Sequence, residues 1–284
     1  MRSSAIRAVI AVLFSVGLSM GIAPAQAAAP GSGLNDWTCV PSAAHPEPLV
    51  LLHGLGANGD LNFEVMGRYL ESRGYCAYSL TYGVTTLGPS VGGLGSMPDS
   101  AAEVRAFVDR VLAATGADQV SIVAHSAGST VATYYMKFLG GDRKVERFVG
   151  FGTNIKGTEL DGLVTLMNLL GIEPVLDAIG CPACVEFSPR SDFMAELNEG
   201  GATVPGPTYT SIVTKYDEVV TPYTNGLFDA APNAKNIVLQ KRCPLDFSGH
   251  LALAVDPNVL KLVANELDPE NARSFLCTPM PWAG

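Results

Sequence analysis

The chain has 284 residues, 48% of them hydrophobic, and 18 basic against 27 acidic side chains give a formal net charge of −9. No cluster of Lys and Arg accompanies that acidic balance, which argues against a nucleic-acid partner. The length suits one large domain with a sizeable core, and no stretch reads as a linker between two.

Arg2 and Arg7 open the chain, an apolar run from Ala8 to Ala23 follows, and "PAQAAAP" places small residues at Ala25 and Ala27. This order reads as a secretory signal peptide over 1–27, cleaved near Ala27, ahead of a single domain over 28–284. About sixteen apolar residues are short for a membrane anchor, so no transmembrane segment is expected after processing. The protein is accordingly expected to be secreted and extracellular. All six cysteines, Cys39, Cys76, Cys181, Cys184, Cys243 and Cys277, follow the leader. An even count in an exported chain implies disulfides. Of the fifteen pairings that six cysteines allow, the expectation is Cys39–Cys76, Cys181–Cys184 and Cys243–Cys277. The last would close a loop of about 34 residues and contribute about 3–4 kcal/mol through loop entropy. "CPAC" also admits a zinc or redox reading, but no second Cys/His pair stands at a suitable spacing.

Strand and helix signals then alternate. "PLVLLHG" is a continuous apolar run ending at glycine, hence a buried strand. "DLNFEVMGRYLESRG" has helical period and stops at Gly74, and "YCAYSLTY" is the next strand. The glycine-rich "GVTTLGPSVGGLGSMPD" has no period and reads as a mobile loop. Ser100 and Glu103 have capping-box spacing, which predicts a helix from Ser100 to about Ala114. "QVSIVAH" is a strand and "SAGSTVATYYMKFLGG" a helix. "VERFVGFGT", "YTSIVTKYD" and "NIVLQK" are further strands, and "PNVLKLVANEL" is the closing helix. Strands separated by helices predict an α/β fold with a mostly parallel central sheet and helices on both faces. The segment 154–200 breaks the rhythm and reads as an inserted lid or cap. Leu160, Leu163, Leu166, Met167, Leu169 and Leu170 could form a greasy wall there, or simply cover the core.

Ser126 stands where an apolar strand becomes a helix. In parallel α/β sheets ligands gather at such strand ends, against a helix N-terminus that favours negative charge. Ala124-His125-Ser126-Ala127-Gly128 matches the G-x-S-x-G nucleophile elbow with alanine in first place. The small residues are a steric need, because the strained turn brings neighbours two positions either side close together. The bland reading is a serine N-cap on an ordinary turn. A serine nucleophile needs a base, and there are four histidines. His125 adjoins the serine and should point away from it. His53 ends the first long strand and should shape that loop, and His45 reads as a surface residue. His250 follows the last strand, where the base falls in the order Ser…Asp/Glu…His. Asp217, where "SIVTKYDEVVTP" breaks into a turn, is the expected orienting acid. Glu218 and Asp192 are rivals, and Asp246 is expected to face solvent. The Ala127 and Leu55 N–H groups are the expected oxyanion donors, Leu55 because "HGLGANGD" is a glycine-rich turn about seventy residues before the elbow.

Together these pieces resemble the α/β-hydrolase family, and more narrowly the small secreted bacterial lipases of class 2. The resemblance rests on His53-Gly54-Leu55, the elbow around Ser126, Asp217 in "TKYDEVVTP" and His250 in "SGHLAL", and covers nearly the whole chain after the leader. It implies an α/β-hydrolase fold and hydrolysis of carboxylic esters with no metal or organic cofactor. The substrate would be a small-molecule ester or lipid with an apolar acyl part, taken up by a monomer in solution or at a lipid–water interface. Length in the 154–200 segment and six cysteines depart from the smallest members. Acyl transfer or polyester hydrolysis on the same triad, and a non-catalytic secreted binding protein on the same scaffold, are the competing readings.

Overall fold

The computed structural model describes residues 34–86, 88–159 and 180–283. The leader and the six apolar residues between Leu160 and Leu170 lie outside the described residues. The centre is a six-stranded, wholly parallel sheet in the order β2-β1-β3-β4-β5-β6. Its strands are β1 (Leu49–Leu52), β2 (Ala77–Ser79), β3 (Val120–His125), β4 (Val145–Phe151), β5 (Thr208–Val213) and β6 (Ala234–Val238). Buried on both faces, β1 and β3 have no polar side to offer, which is why their sequences run almost continuously apolar.

Alternate strand residues feed two cores. Val50, Leu52, Ile122 and Ala124 pack beneath helices α3 (Met97–Thr115) and α4 (Ala127–Phe138). Leu49, Leu51, Val123 and Phe151 pack beneath α2 (Glu64–Glu71) and the closing helix α8 (Pro257–Leu267). The period-2 geometry of strands thus sends each half of the apolar set to its own helical layer.

Several boundaries differ from the sequence expectation. The first helical run splits at Phe63 into α1 (Gly59–Asn62) and α2. Helix α3 starts one turn before Ser100: the Ser96 hydroxyl accepts from Asp99 N–H, and a proline fits its first turn. Glu103 instead accepts the N–H of Gly83. "NIVLQK" leaves the sheet after Val238 and turns into α7 (Leu239–Arg242). A second sheet pairs β7 (Asp246–Ser248) with β8 (Met280–Ala283). The glycine-rich loop is tied down: Gly93 N–H donates to Tyr82 O at 2.7 Å and Gly92 N–H to Ala57 O at 2.8 Å.

All three expected disulfides are present, Cys39–Cys76, Cys181–Cys184 and Cys243–Cys277. The described parts of 154–200 include α5 (Pro182–Glu186) and α6 (Asp192–Asn198), whose Ala183, Met194 and Leu197 are buried in the core. Among the described residues no helix is long and apolar enough to cross a membrane.

Candidate active site

The strand order reverses direction between β1 and β3, so the chain leaves their neighbouring carboxyl ends toward opposite sides and opens a crevice there. The loop after β1 carries Leu55, and the turn after β3 carries Ser126. Ser126 has φ 52° and ψ −122°, a backbone that L-residues rarely adopt. Its N–H donates to Phe151 O at 3.1 Å, which holds the turn against β4. The small neighbours have a visible cause. Ala124 lies in register between Leu52 and Gly150, and a Cβ on Gly128 would collide with the Leu52 carbonyl oxygen. The Ser126 hydroxyl makes no hydrogen bond among the described residues, to His250 or to any other group.

Ala127 opens α4, so its N–H has no partner within the helix. The β1 loop is shaped from behind by His53, which is fully buried. His53 Nδ1 donates to Gly54 O at 2.8 Å, Nε2 accepts from Tyr82 N–H at 3.3 Å, and the ring stacks on Tyr82. Gly54 N–H donates to Asn62 Oδ1 at 3.0 Å. The next N–H, that of Leu55, has no protein acceptor among the described residues. Gly54 must be small as well, since a Cβ there would sit 3.2 Å from Ser126 Cβ.

Strand β5 ends at Val213, and the turn beyond it buries Asp217. One carboxylate oxygen accepts the N–H groups of Val219 at 3.0 Å and Val220 at 2.6 Å. The other meets His250 Nδ1 at 2.9 Å. The two side chains are 1% and 2% exposed, so water does not compete for this contact. The His250 ring lies against Gly152, where a Cβ would be 3.2 Å from Nδ1. Gly152 follows Phe151, whose carbonyl holds Ser126, so β4 brings His250 and Ser126 to one rim.

His125, next to Ser126 in the chain, turns toward β4. Its ring is buried, stacks on Phe151 and lies 5.0 Å from the His250 ring. Nδ1 faces Asn62 Oδ1 at 3.0 Å and Nε2 faces the His250 carbonyl at 3.2 Å. Asp192 lies in the first turn of α6, without a bond to His250. His45 is half-buried and stacks on Tyr75. Asp246, expected at the surface, is fully buried. It accepts Ser248 N–H at 3.0 Å and Asn258 Nδ2–H at 2.7 Å, tying the loop before His250 to α8. Sequence reasoning also missed Asn62, which sits in an unremarkable helical run, and the bond from His250 N–H to Glu218 Oε2 at 2.8 Å. No group of three or more His, Cys, Asp or Glu converges to hold a metal ion among the described residues.

Burial pushes His53 down to about 4 and, with the nearby His250, His125 down to about 3. Burial first, then Asp246, pushes Asp256 up to about 6. An unfolded histidine takes up its proton near pH 6.5, so His53 and His125 each withdraw stability as pH falls from about 6.5 toward those lowered values. Asp256 acts in the opposite sense, its contribution being lost as pH rises toward 6. Nitrogen-15 NMR at pH 5 is expected to show both buried imidazoles neutral in the folded protein. An imidazolium pattern at either ring would contradict that burial.

The family described as Lipase (class 2) matches residues 46–260. Among solved structures, lipase B of Aspergillus fumigatus superposes with a TM-score of 0.62 at 16% identity, over 82% of this chain and 57% of its own. The chain thus spans little more than half of that lipase. The mature form of the Bacillus licheniformis lipase BlEst2 gives 0.55 at 18% identity, over 73% of this chain and 87% of its own. MGS-MChE2, an alpha/beta hydrolase from the metagenome of Mar Chica lagoon sediments in Morocco, gives 0.52 at 20%, over 79% and 91%. At these identities the three structures speak to the fold, which is that of the α/β-hydrolases. The family match covers most of the chain, so the chain belongs to the class 2 lipases, a family of carboxylic-ester hydrolases.

Proposed function

We propose that the protein is a secreted serine hydrolase of apolar acyl esters, with Ser126 as nucleophile, His250 as base and Asp217 as its orienting acid. The observation that carries the reading is the buried Asp217–His250 bond, set beside the strained and otherwise unengaged Ser126. Asp217 accepts the hydrogen bond of Nδ1–H, which keeps the proton on Nδ1 and leaves the Nε2 lone pair for the serine. Ser126 Oγ attacks the ester carbonyl as its proton passes to Nε2. The N–H groups of Leu55 and Ala127 receive the developing oxyanion. Nε2 then returns the proton to the departing alcohol, and water repeats the sequence on the acyl-enzyme.

The leader-like N-terminus and three disulfides support export. The apolar stretch between Leu160 and Leu170 supports a greasy acyl partner, with a lid or cap role for that segment. A fluorophosphonate probe is expected to label the protein once, on the peptide containing Ser126, and esters of medium or long acyl chains to outrun acetate esters. A protein that stays unlabelled and inert toward every ester would favour the binding-scaffold reading.

A further inference from the structure

His250 is held by its main chain as well as by its ring. Its N–H donates to Glu218 Oε2 at 2.8 Å, and its C=O faces His125 Nε2 at 3.2 Å. Among the described residues no backbone group meets either atom. The nearest strand, β7, ends two residues earlier at Ser248, and Leu251 on the other side is 62% exposed. These two side chains therefore hold the base in a stretch that regular structure does not.

Both holders are chain neighbours of proposed triad members. Glu218 follows Asp217, and His125 precedes Ser126. We propose that Glu218 and His125 are positioning residues that clamp the His250 peptide. Each of the doublets His125-Ser126 and Asp217-Glu218 then supplies one group to the imidazole and one to the backbone behind it. The proposal rests on the triad reading above and adds to it a device for aiming the ring.

The need is geometric. The bond from Nδ1 to Asp217 fixes one ring atom, but the ring can still pivot about it and swing Nε2 away from Ser126. Fixing the peptide on both sides fixes the Cα–Cβ direction and removes that freedom. A carboxylate accepting an N–H is among the stronger hydrogen bonds, and Glu218 is partly shielded from water. The grip on the carbonyl requires the His125 proton on Nε2, which leaves Nδ1 as an acceptor. Asn62 keeps its oxygen toward Gly54 N–H, so the single proton of a neutral His125 serves the His250 carbonyl from Nε2 at the expense of a bond from Nδ1 to Asn62.

The test is kinetic, on the full-length protein with a soluble ester. Glu218→Ala is expected to lower kcat about 10- to 100-fold with KM within about twofold, because the ring is misaimed while the substrate site is intact. Glu218→Gln keeps an acceptor of the same reach and is expected to retain at least about a third of kcat. His125→Phe keeps a ring on Phe151 but no donor, and should lose kcat on the same scale as Glu218→Ala. Should Glu218→Ala fail to fold, Glu218→Met keeps the side-chain length and removes the acceptor. Wild-type kcat in Glu218→Ala, or an equal loss in the Ala and Gln variants, overturns the clamp. Ser126→Ala separates the two layers of argument: if it stays active the triad reading fails, whereas an inactive Ser126→Ala with an unaffected Glu218→Ala defeats the clamp alone.

Discussion

Ser126→Ala is expected to lower kcat by about 10⁴- to 10⁶-fold while leaving KM nearly unchanged. The hydroxyl makes no hydrogen bond among the described residues, so its removal breaks nothing in the resting structure. The backbone at φ 52° strains alanine as it strains serine, and the melting temperature should therefore hold. What disappears is the atom that, in the proposed mechanism, becomes bonded to the acyl carbon. The oxyanion donors and the binding surface remain, which is why a residue of activity above the uncatalysed rate should persist. Burst and steady-state kinetics on a chromogenic ester measure it, and retention of more than roughly a tenth of kcat would remove Ser126 from the nucleophile's role.

Asp217→Asn should cost about 10⁴-fold in kcat, with the fold retained. The direction of the new amide is dictated by the turn. Val219 and Val220 both donate to one oxygen of Asp217, so the asparagine must keep its oxygen there to leave neither N–H unsatisfied. Its nitrogen then faces His250 Nδ1 and donates to it. A neutral imidazole that accepts at Nδ1 carries its proton on Nε2, aimed at the serine instead of able to take the serine's proton. The ring stays in place and the base is lost through its tautomer. Nitrogen-15 NMR of the imidazole should show the proton moved from Nδ1 to Nε2. A variant with near wild-type kcat would mean that another acid, such as Glu218, orients the base.

Much of this architecture was legible from the residues. A continuous apolar run at Leu49–Leu52 and a mostly apolar one at Val120–His125 announced buried strands, and the structure places them in the middle of a parallel sheet. The elbow stood out because its small residues answer a local steric demand, which the Gly128 collision with Leu52 makes concrete. Boundaries were less legible where two caps competed: Ser96 won over Ser100 because a proline two residues on suits a first helical turn. Asp246 was misjudged because a charged residue on a loop is usually solvated. Its burial depends on Asn258, twelve positions away, and on a C-terminal strand that no local signal announces.

Local chemistry along the chain was enough to specify the six strands of the central sheet in chain order, the elbow at Ser126, and His250 and Asp217 as the histidine and carboxylate to watch. Those features depend on periodicity, backbone sterics and the small number of histidines, all of which are properties of short stretches. Folding decided how the pieces meet. It put the ends of β1 and β3 side by side, set His250 against Gly152, and turned His125 and Glu218 toward the peptide of a residue 125 and 32 positions distant. Hydrogen bonds between remote groups carry no periodic trace in a chain, because each partner satisfies ordinary local rules and only the packed sheet brings the two within reach.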